Sequence, residues 1–284
     1  MRGIILAGGT GTRLRPVTNV VSKQLLPVYD KPMIHYPLSV LMTAGIRDIL
    51  LISTPHHLDA YTTLLGDGTD LGIHLHYRAQ DHPRGLAHAL ILGRDFIGDD
   101  QIALILGDNI FHTPHLADLL QHERRRLNGC TLFGYPVPDP HRYGIATLDA
   151  RGHLTRIDEK PAHPTSNLAV TGLYLYDNEA VAMAHDLTPS PRGELEITDL
   201  NRAFTATGRA RLVPLGPDAT WFDTGTHDSL LHAAAFVRDH QHRHGHPLGD
   251  IQHTAHRMGY IDDTQLAELT RTTPTDRHLT APHP

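Results

Sequence analysis

The 284-residue chain has a single cysteine, Cys130, so no disulfide can close within it. Lysine is almost as scarce. It occurs only at Lys23, Lys31 and Lys160, and arginine supplies the other 22 of the 25 basic side chains. No apolar run reaches membrane-spanning length, and the first apolar segment, 4–7, is too short for a secretory signal. A basic excess is also missing. The formal net charge is -6 with histidine neutral, whereas a general nucleic-acid binder needs a basic face. What remains is an ordinary soluble composition, 40% hydrophobic and 20% charged. It leads us to expect a cytoplasmic protein with neither membrane nor nucleic-acid partners.

The stretch 3–27 stands out. An apolar strand at 4–7 runs into Gly8-Gly9-Thr10-Gly11-Thr12-Arg13, and Ser22-Lys23-Gln24 follows. Such a loop turns without Cβ clashes and can offer several backbone N–H groups to one anion, while Arg13 and Lys23 add positive charge. A GC-rich genome accounts for the many arginines and histidines but not for where the lysines fall. Lys23 follows the glycine loop, and Lys160 stands in Asp158-Glu159-Lys160-Pro161. A compact ammonium suits a phosphate where a planar guanidinium does not.

Hydrophobic patterning lays out the rest. Apolar or alternating runs at 4–7, 48–53, 73–77, 103–106 and 131–135 read as strands. Helices are expected between them, at 32–44 with Pro32 in the first turn, then at 54–65, 86–93 and 116–128. This alternation implies an α/β fold with a Rossmann-like, mostly parallel sheet flanked by helices. After Pro136 the pattern changes. Strands at 145–148, 153–158 and 169–176 with short turns suggest an antiparallel part. Helices at 179–184, 199–207 and 226–242 and strands at 211–215 and 221–223 follow. The tail 243–284 has a helical patch at 261–269 and a Pro/Thr/His-rich end expected to fray.

The glycine loop is not a Walker A motif, for no Gly-Lys-Ser/Thr follows its spacer. Nor is it the dinucleotide fingerprint, because Leu14 stands where the third glycine would be. With Pro16, Lys23-Gln24 and Leu26-Pro27 at their offsets, it resembles the signature of the sugar nucleotidyltransferases. The resemblance continues in Leu106-Gly107-Asp108-Asn109, Arg142-Tyr143-Gly144, Glu159-Lys160-Pro161, Val170-Thr171-Gly172, Arg192-Gly193-Glu194-Leu195-Glu196 and Trp221-Phe222-Asp223-Thr224-Gly225. It is greatest to those members that take dTTP and glucose 1-phosphate.

This resemblance implies attack of a sugar 1-phosphate oxygen on the α-phosphorus of dTTP, with pyrophosphate leaving. Asp108 and Asp223 are then the ligands of Mg²⁺, Arg13 holds the pyrophosphate, Lys23 contacts the α-phosphate, and Lys160 binds the sugar phosphate. Leu6, Gly8, Gly9, Gly11, Thr12 and Gln24 belong to the nucleotide side, with Gln80 and Gly85 on the base. Asn109, Tyr143, Gly144, Glu159, Val170 and Arg192 line the sugar side. The implied organisation is a nucleotidyltransferase domain over 1–242, with nucleotide-binding (1–135) and sugar-binding (136–225) parts, then the tail 243–284. A homo-oligomer, tetramer or dimer, is implied too. Read alone, Asp108 and Asp223 also fit turn residues, and Arg192 a solvent-facing one. A related enzyme using UTP or another sugar phosphate, and a silent nucleotide-sugar sensor, stay open. The 24 histidines are read as solvated surface, except His227, expected to cap the helix after it.

Overall fold

Ile4 and Ile5 are both fully enclosed, and they belong to core clusters on opposite faces of the first strand. That strand, β1 (Arg2–Leu6), has parallel partners on both edges, so helices must cover both of its faces. The computed structural model describes residues 1–9 and 11–272. From β1 the chain runs through β2 (Pro27–Val28), β3 (Lys31–Pro32), α1 (His35–Thr43), β4 (Asp48–Ser53), α2 (Pro55–Leu65), β5 (His74–Ala79), α3 (His88–Leu92), α4 (Arg94–Ile97) and β6 (Ile102–Leu106). Next come β7 (Asn109–His112), α5 (Leu116–Arg125), β8 (Cys130–Pro136), β9 (Gly144–Leu148), β10 (Leu154–Glu159) and β11 (Leu168–Tyr176). The rest is α6 (Glu179–His185), α7 (Ile197–Ala206), β12 (Ala210–Pro214), β13 (Thr220–Asp223), α8 (His227–His244), α9 (Ile251–Arg257) and α10 (Asp263–Thr272).

One mixed sheet organises these elements, in the order β10-β9-β11-β6-β1-β4-β5, with β8 and β12 branching from β11. Four consecutive neighbours in it, β6-β1-β4-β5, are parallel, and β12 also runs parallel to β8. Strand β11 then joins β6 antiparallel and also pairs with β8 and β9. The α/β, mostly parallel architecture expected from the patterning is therefore present, with the antiparallel strands later in the chain. Ile5, Ile49 and Ile105 pack against α1 and Tyr61 of α2 on one face. Ile4, Leu50 and Leu104 pack against Leu90, Ala180 and Phe204 on the other. Burying each such isoleucine contributes about 2 kcal/mol.

Connectivity locates the site. From β1 the chain steps to β4 and β5 on one side, while β6 lies on the other. Strand order thus reverses between β1 and β6, and a crevice opens at their carboxyl ends.

Several boundaries differ from the sequence reading. Pro32 lies in the two-residue strand β3, and α1 begins at His35, because Met33 and Ile34 are tied back to Leu26 and Gln24 by backbone bonds. Helix α8 is capped by Thr226, whose hydroxyl accepts from Ser229 N at 3.2 Å in a reciprocal capping box, and not by His227, its first residue. The tail holds α9, which periodicity did not reveal and which packs on α1. Its helix α10 starts at Asp263. The stretch expected to fray lies, beyond residue 272, outside the described residues. Among the described residues no helix is long and apolar enough to cross a membrane.

Candidate active site

Leu6 and Leu106, the last residues of β1 and β6, form the floor of a cavity of about 580 Å³. The backbone there is pinned from behind. Gly107 N donates to Leu6 O at 2.9 Å, and Ser53 Oγ donates to Ala7 O at 2.8 Å. Beyond the floor the chain can only turn. Gly9, at φ 95°, takes the left-handed conformation that glycine tolerates best.

Asp108 follows β6 and Asp223 ends β13. The two-stranded ribbon β7–β13 places Asp223 opposite Asn109, next to Asp108 in sequence. Lys23 Nζ donates to Asp108 Oδ2 at 2.5 Å, and Asn109 Nδ2 donates to Oδ1 at 2.8 Å. Burial works to raise the Asp108 pKa, but the Lys23 ammonium and these hydrogen bonds hold it below the usual carboxylate range. Asp223 goes the other way. Burial first, and then the negative charge of Asp108, raise its pKa, with Lys23, Arg13 and Arg142 only partly offsetting them. Arg142 is its nearest cation, Nη2 to Oδ2 at 3.4 Å. Two half-buried carboxylates thus lie near enough for one to act on the charge of the other, with incomplete neutralisation. Hard oxygen donors in that condition fit a divalent cation such as Mg²⁺.

The nucleotide-side residues converge here. Leu6, Gly8, Gly9, Arg13, Gln24, Gln80, Gly85 and Asp108 all line the cavity. The Arg13 guanidinium lies over Gly225, where a Cβ would come within 2.8 Å of Nη2, so that glycine leaves room for it. Gln24 is 4% exposed and braces the loop, its Nε2 donating to Gly8 O at 3.3 Å. Gly85, at φ 93°, lies against α7's leading loop. A Cβ there would meet Leu195 O at 2.3 Å. Lys23 does not line this cavity; it reaches Asp108 from a smaller adjoining cleft of about 390 Å³ that it lines with Gly9, Arg15, Thr18 and His57. Gly11 and Thr12 stand on the outer limb of the loop. Gly11 is at φ 55°, held by Thr18 Oγ1 donating to its carbonyl at 2.8 Å.

The sugar-side residues form the opposite wall. Asn109, Tyr143, Gly144, Glu159, Lys160, Val170 and Arg192 line the same cavity. Lys160 follows β10 at φ 42°, a strained conformation for a side-chain-bearing residue, and its N–H donates to Tyr143 O at 3.0 Å. Glu159 is shared between Lys160 Nζ at 3.0 Å and the Thr198 hydroxyl, which donates at 2.6 Å. Arg192 Nη2 donates to Glu196 at 2.8 Å and lies 3.3 Å from Glu194, so its charge is countered by these two carboxylates.

Residues without an assigned role in the sequence reading also line the cavity. Arg142, Thr198, Glu196 and Trp221 are among them. Arg142 and Trp221 lay inside quoted motifs, but nothing in their spacing shows that they meet Asp223 and Tyr143. The Trp221 and Tyr143 rings lie edge to face, 5.3 Å between centroids.

A strand-reversal crevice with two carboxylates, a glycine loop and a cationic rim on both walls defines a phosphate-transferring nucleotide enzyme. Comparison with known families agrees. A model described as nucleotidyl transferase matches residues 2–240, and the chain belongs to that family. Among relatives, a glucose-1-phosphate thymidylyltransferase of Xanthomonas campestris pv. campestris (strain B100) is 55% identical over 94% of this chain and 91% of its own length. One of Mycobacterium tuberculosis (strain CDC 1551 / Oshkosh) is 50% identical over 95% and 94%. A Bacillus anthracis structure in complex with a sucrose, described as a proposed glucose-1-phosphate thymidylyltransferase, is 41% identical with a TM-score of 0.79, covering 84% of this chain and 96% of that one. A UDP-glucose pyrophosphorylase complexed with UDP-glucose, 22% identical with a TM-score of 0.73 over 84% and 98%, bears on the fold alone.

Proposed function

We propose that this protein transfers the thymidylyl group of dTTP to glucose 1-phosphate, giving dTDP-glucose and pyrophosphate. The observation that carries this reading is the convergence of Asp108, Asp223, Arg13 and Lys160 on one cavity, in a chain about half identical to glucose-1-phosphate thymidylyltransferases over nearly its whole length.

Each residue has a task that its surroundings support. Gly8 and Gly9 let the triphosphate approach the backbone. Arg13 binds charge that accumulates on the departing pyrophosphate, which a guanidinium does with paired hydrogen bonds. Lys23 and Lys160 flank the reacting phosphates, one on the nucleotide wall and one on the sugar wall. Gln80 and Gly85 take the base. Glu159 and Val170 take the sugar. The attacking phosphate oxygen is already ionised at neutral pH, so no general base is required. Bond formation to the α-phosphorus and loss of the bond to the β-phosphate then depend on alignment and charge neutralisation. Asp108 and Asp223 would hold Mg²⁺, which screens the charge of the phosphate oxygens when bound.

The domain runs over 1–242, with a nucleotide-binding part over 1–135, from which Asn109 also reaches the sugar side, and a sugar-binding part over 136–225; the tail is 243–284. A cytoplasmic location, where nucleoside triphosphates are made, follows from the substrates. A homo-oligomer, tetramer or dimer, is part of the same reading. Size-exclusion chromatography with light scattering tests it, and a monomer at micromolar concentration would refute it.

The activity is tested by release of pyrophosphate from dTTP plus glucose 1-phosphate with Mg²⁺. UTP and other sugar 1-phosphates serve as competitors. Nucleotide binding without pyrophosphate release would sink the enzymatic reading.

A further inference from the structure

Gln80 leaves the end of β5 with its side chain nearly enclosed, 6% exposed. Its backbone is fixed by donation of Gln80 N to Ser53 O at 2.7 Å. The amide could be placed either way round, and the choice matters. An outward carbonyl accepts a hydrogen bond, whereas an outward NH₂ donates one. In the structure Gln80 Nε2 is 3.1 Å from His88 Nδ1. Gln80 Oε1 lies on the Gly8 side, where a Cβ on that residue would come within 3.2 Å of it. Gly8 and Gln80 line the same cavity.

We propose that His88, which does not itself line the cavity, is a positioning residue for nucleobase choice. It accepts from Gln80 Nε2 and thereby locks the amide with its oxygen toward the base. This rests on the reading that Gln80 contacts the nucleobase. An amide N–H must donate, so His88 Nδ1 must carry its lone pair, and the ring must be neutral with its proton on Nε2. The outward oxygen then matches the imino N3–H of thymine. It repels cytosine, whose N3 is an acceptor. Uracil carries the same imino donor, so this device does not separate dTTP from UTP.

Protonation of His88 reverses the arrangement. Nδ1–H becomes a donor, and the Gln80 amide satisfies it only by turning its oxygen inward. The cavity then sees NH₂, the pattern suited to cytosine. The charged group that acts on His88 is Arg84, on the preceding loop; the charged side chains Arg13, Arg192, Glu194 and Glu196 line the cavity on which Gln80 opens. Burial first, and Arg84 second, keep the imidazole below its ordinary pKa, so the neutral form dominates at pH 7.

The test compares dTTP and dCTP as substrates with glucose 1-phosphate, for wild type, His88→Leu and His88→Asn, between pH 5.5 and 8. His88→Leu removes the acceptor. It should raise the dTTP KM about tenfold and cut the dTTP-over-dCTP preference by a similar factor, with the glucose 1-phosphate KM unchanged. His88→Asn can offer a carbonyl oxygen near the Nδ1 position without titrating. Wild type should lose part of that preference as the pH falls and His88 protonates, and His88→Asn should restore the preference without this pH dependence. If both variants discriminate as wild type does while making dTDP-glucose, the inference is overturned and the activity stands. If wild type makes no dTDP-glucose, the activity itself is refuted, and the inference with it.

Discussion

Trp221 donates its indole N–H to Asn109 Oδ1 at 2.7 Å, across 112 residues of sequence. The same oxygen accepts from Gly172 N at 3.0 Å. One buried amide thus ties β13, β7 and β11 together beside the two carboxylates. Gly172 has no side chain because a Cβ would stand 2.5 Å from that oxygen. Trp221→Phe keeps an aromatic ring at the position, deletes the donor and leaves part of the indole's volume unfilled. It should cost about 1–2 kcal/mol in denaturant unfolding and lower kcat several-fold through displacement of Asp223. Unchanged stability would mean that the hydrogen bond contributes nothing net.

Asp108→Asn keeps the shape of the side chain and removes its charge. Turnover should fall about a hundredfold or more, while the glucose 1-phosphate KM changes by less than about threefold. Steady-state kinetics with both substrates varied decides it. Full activity in the variant would take Asp108 out of the reaction.

Lys160→Ala should raise the glucose 1-phosphate KM about tenfold or more, with the dTTP KM within about twofold of wild type. The position also carries backbone strain, φ 42°. Lys160→Gly should therefore show the same kinetic defect but unfold later than Lys160→Ala, by about 1 kcal/mol. Equal stabilities would show that the left-handed turn is not strained.

His35 sets an acid limit on the fold. Its Nε2 is enclosed without a hydrogen-bond partner among the described residues, and its pKa is lowered to about 4 by burial first and then by Lys31, offset in part by Asp250 and Asp30. Unfolded, the ring titrates near 6.5. Between those values the unfolded chain binds the extra proton, so stability must fall as pH drops from 6.5 towards 4. The loss from this one group approaches about 3 kcal/mol at the acid end. His35→Gln should flatten that slope in pH-dependent melts between 4 and 7, whatever it does to stability at pH 8.

What was legible in the sequence divides along physical lines. The glycine loop, Asp108, Glu159-Lys160 and Asp223 were readable because each belongs to a short contiguous stretch at an element's end. The parallel strands were readable because burial on both faces leaves an unbroken apolar run. The strand Asn109–His112 was not, since its strand partner among the described residues is Thr220–Asp223, far away in sequence. Thr198 meets Glu159 only because α7 packs across β10, a contact without local signal. The cap on α8 was misplaced by one residue, because His227 and Thr226 are adjacent and only geometry shows whose oxygen faces Ser229.

Strand β11 hydrogen-bonds to β6, β8 and β9. It carries Val170 and Gly172 into the wall proposed for the sugar, while its antiparallel partner β6 ends at the floor proposed for the nucleotide. The two substrate walls therefore share a continuous hydrogen-bonded sheet instead of meeting across a hinge. Relative rotation of the walls would require shearing that ladder, and the catalytic cycle is better served by local motion. Scattering profiles with and without both substrates should then be nearly superimposable. Any ordering on binding should be confined to the glycine loop and to 81–85, and amide exchange would slow there while the strands keep their protection.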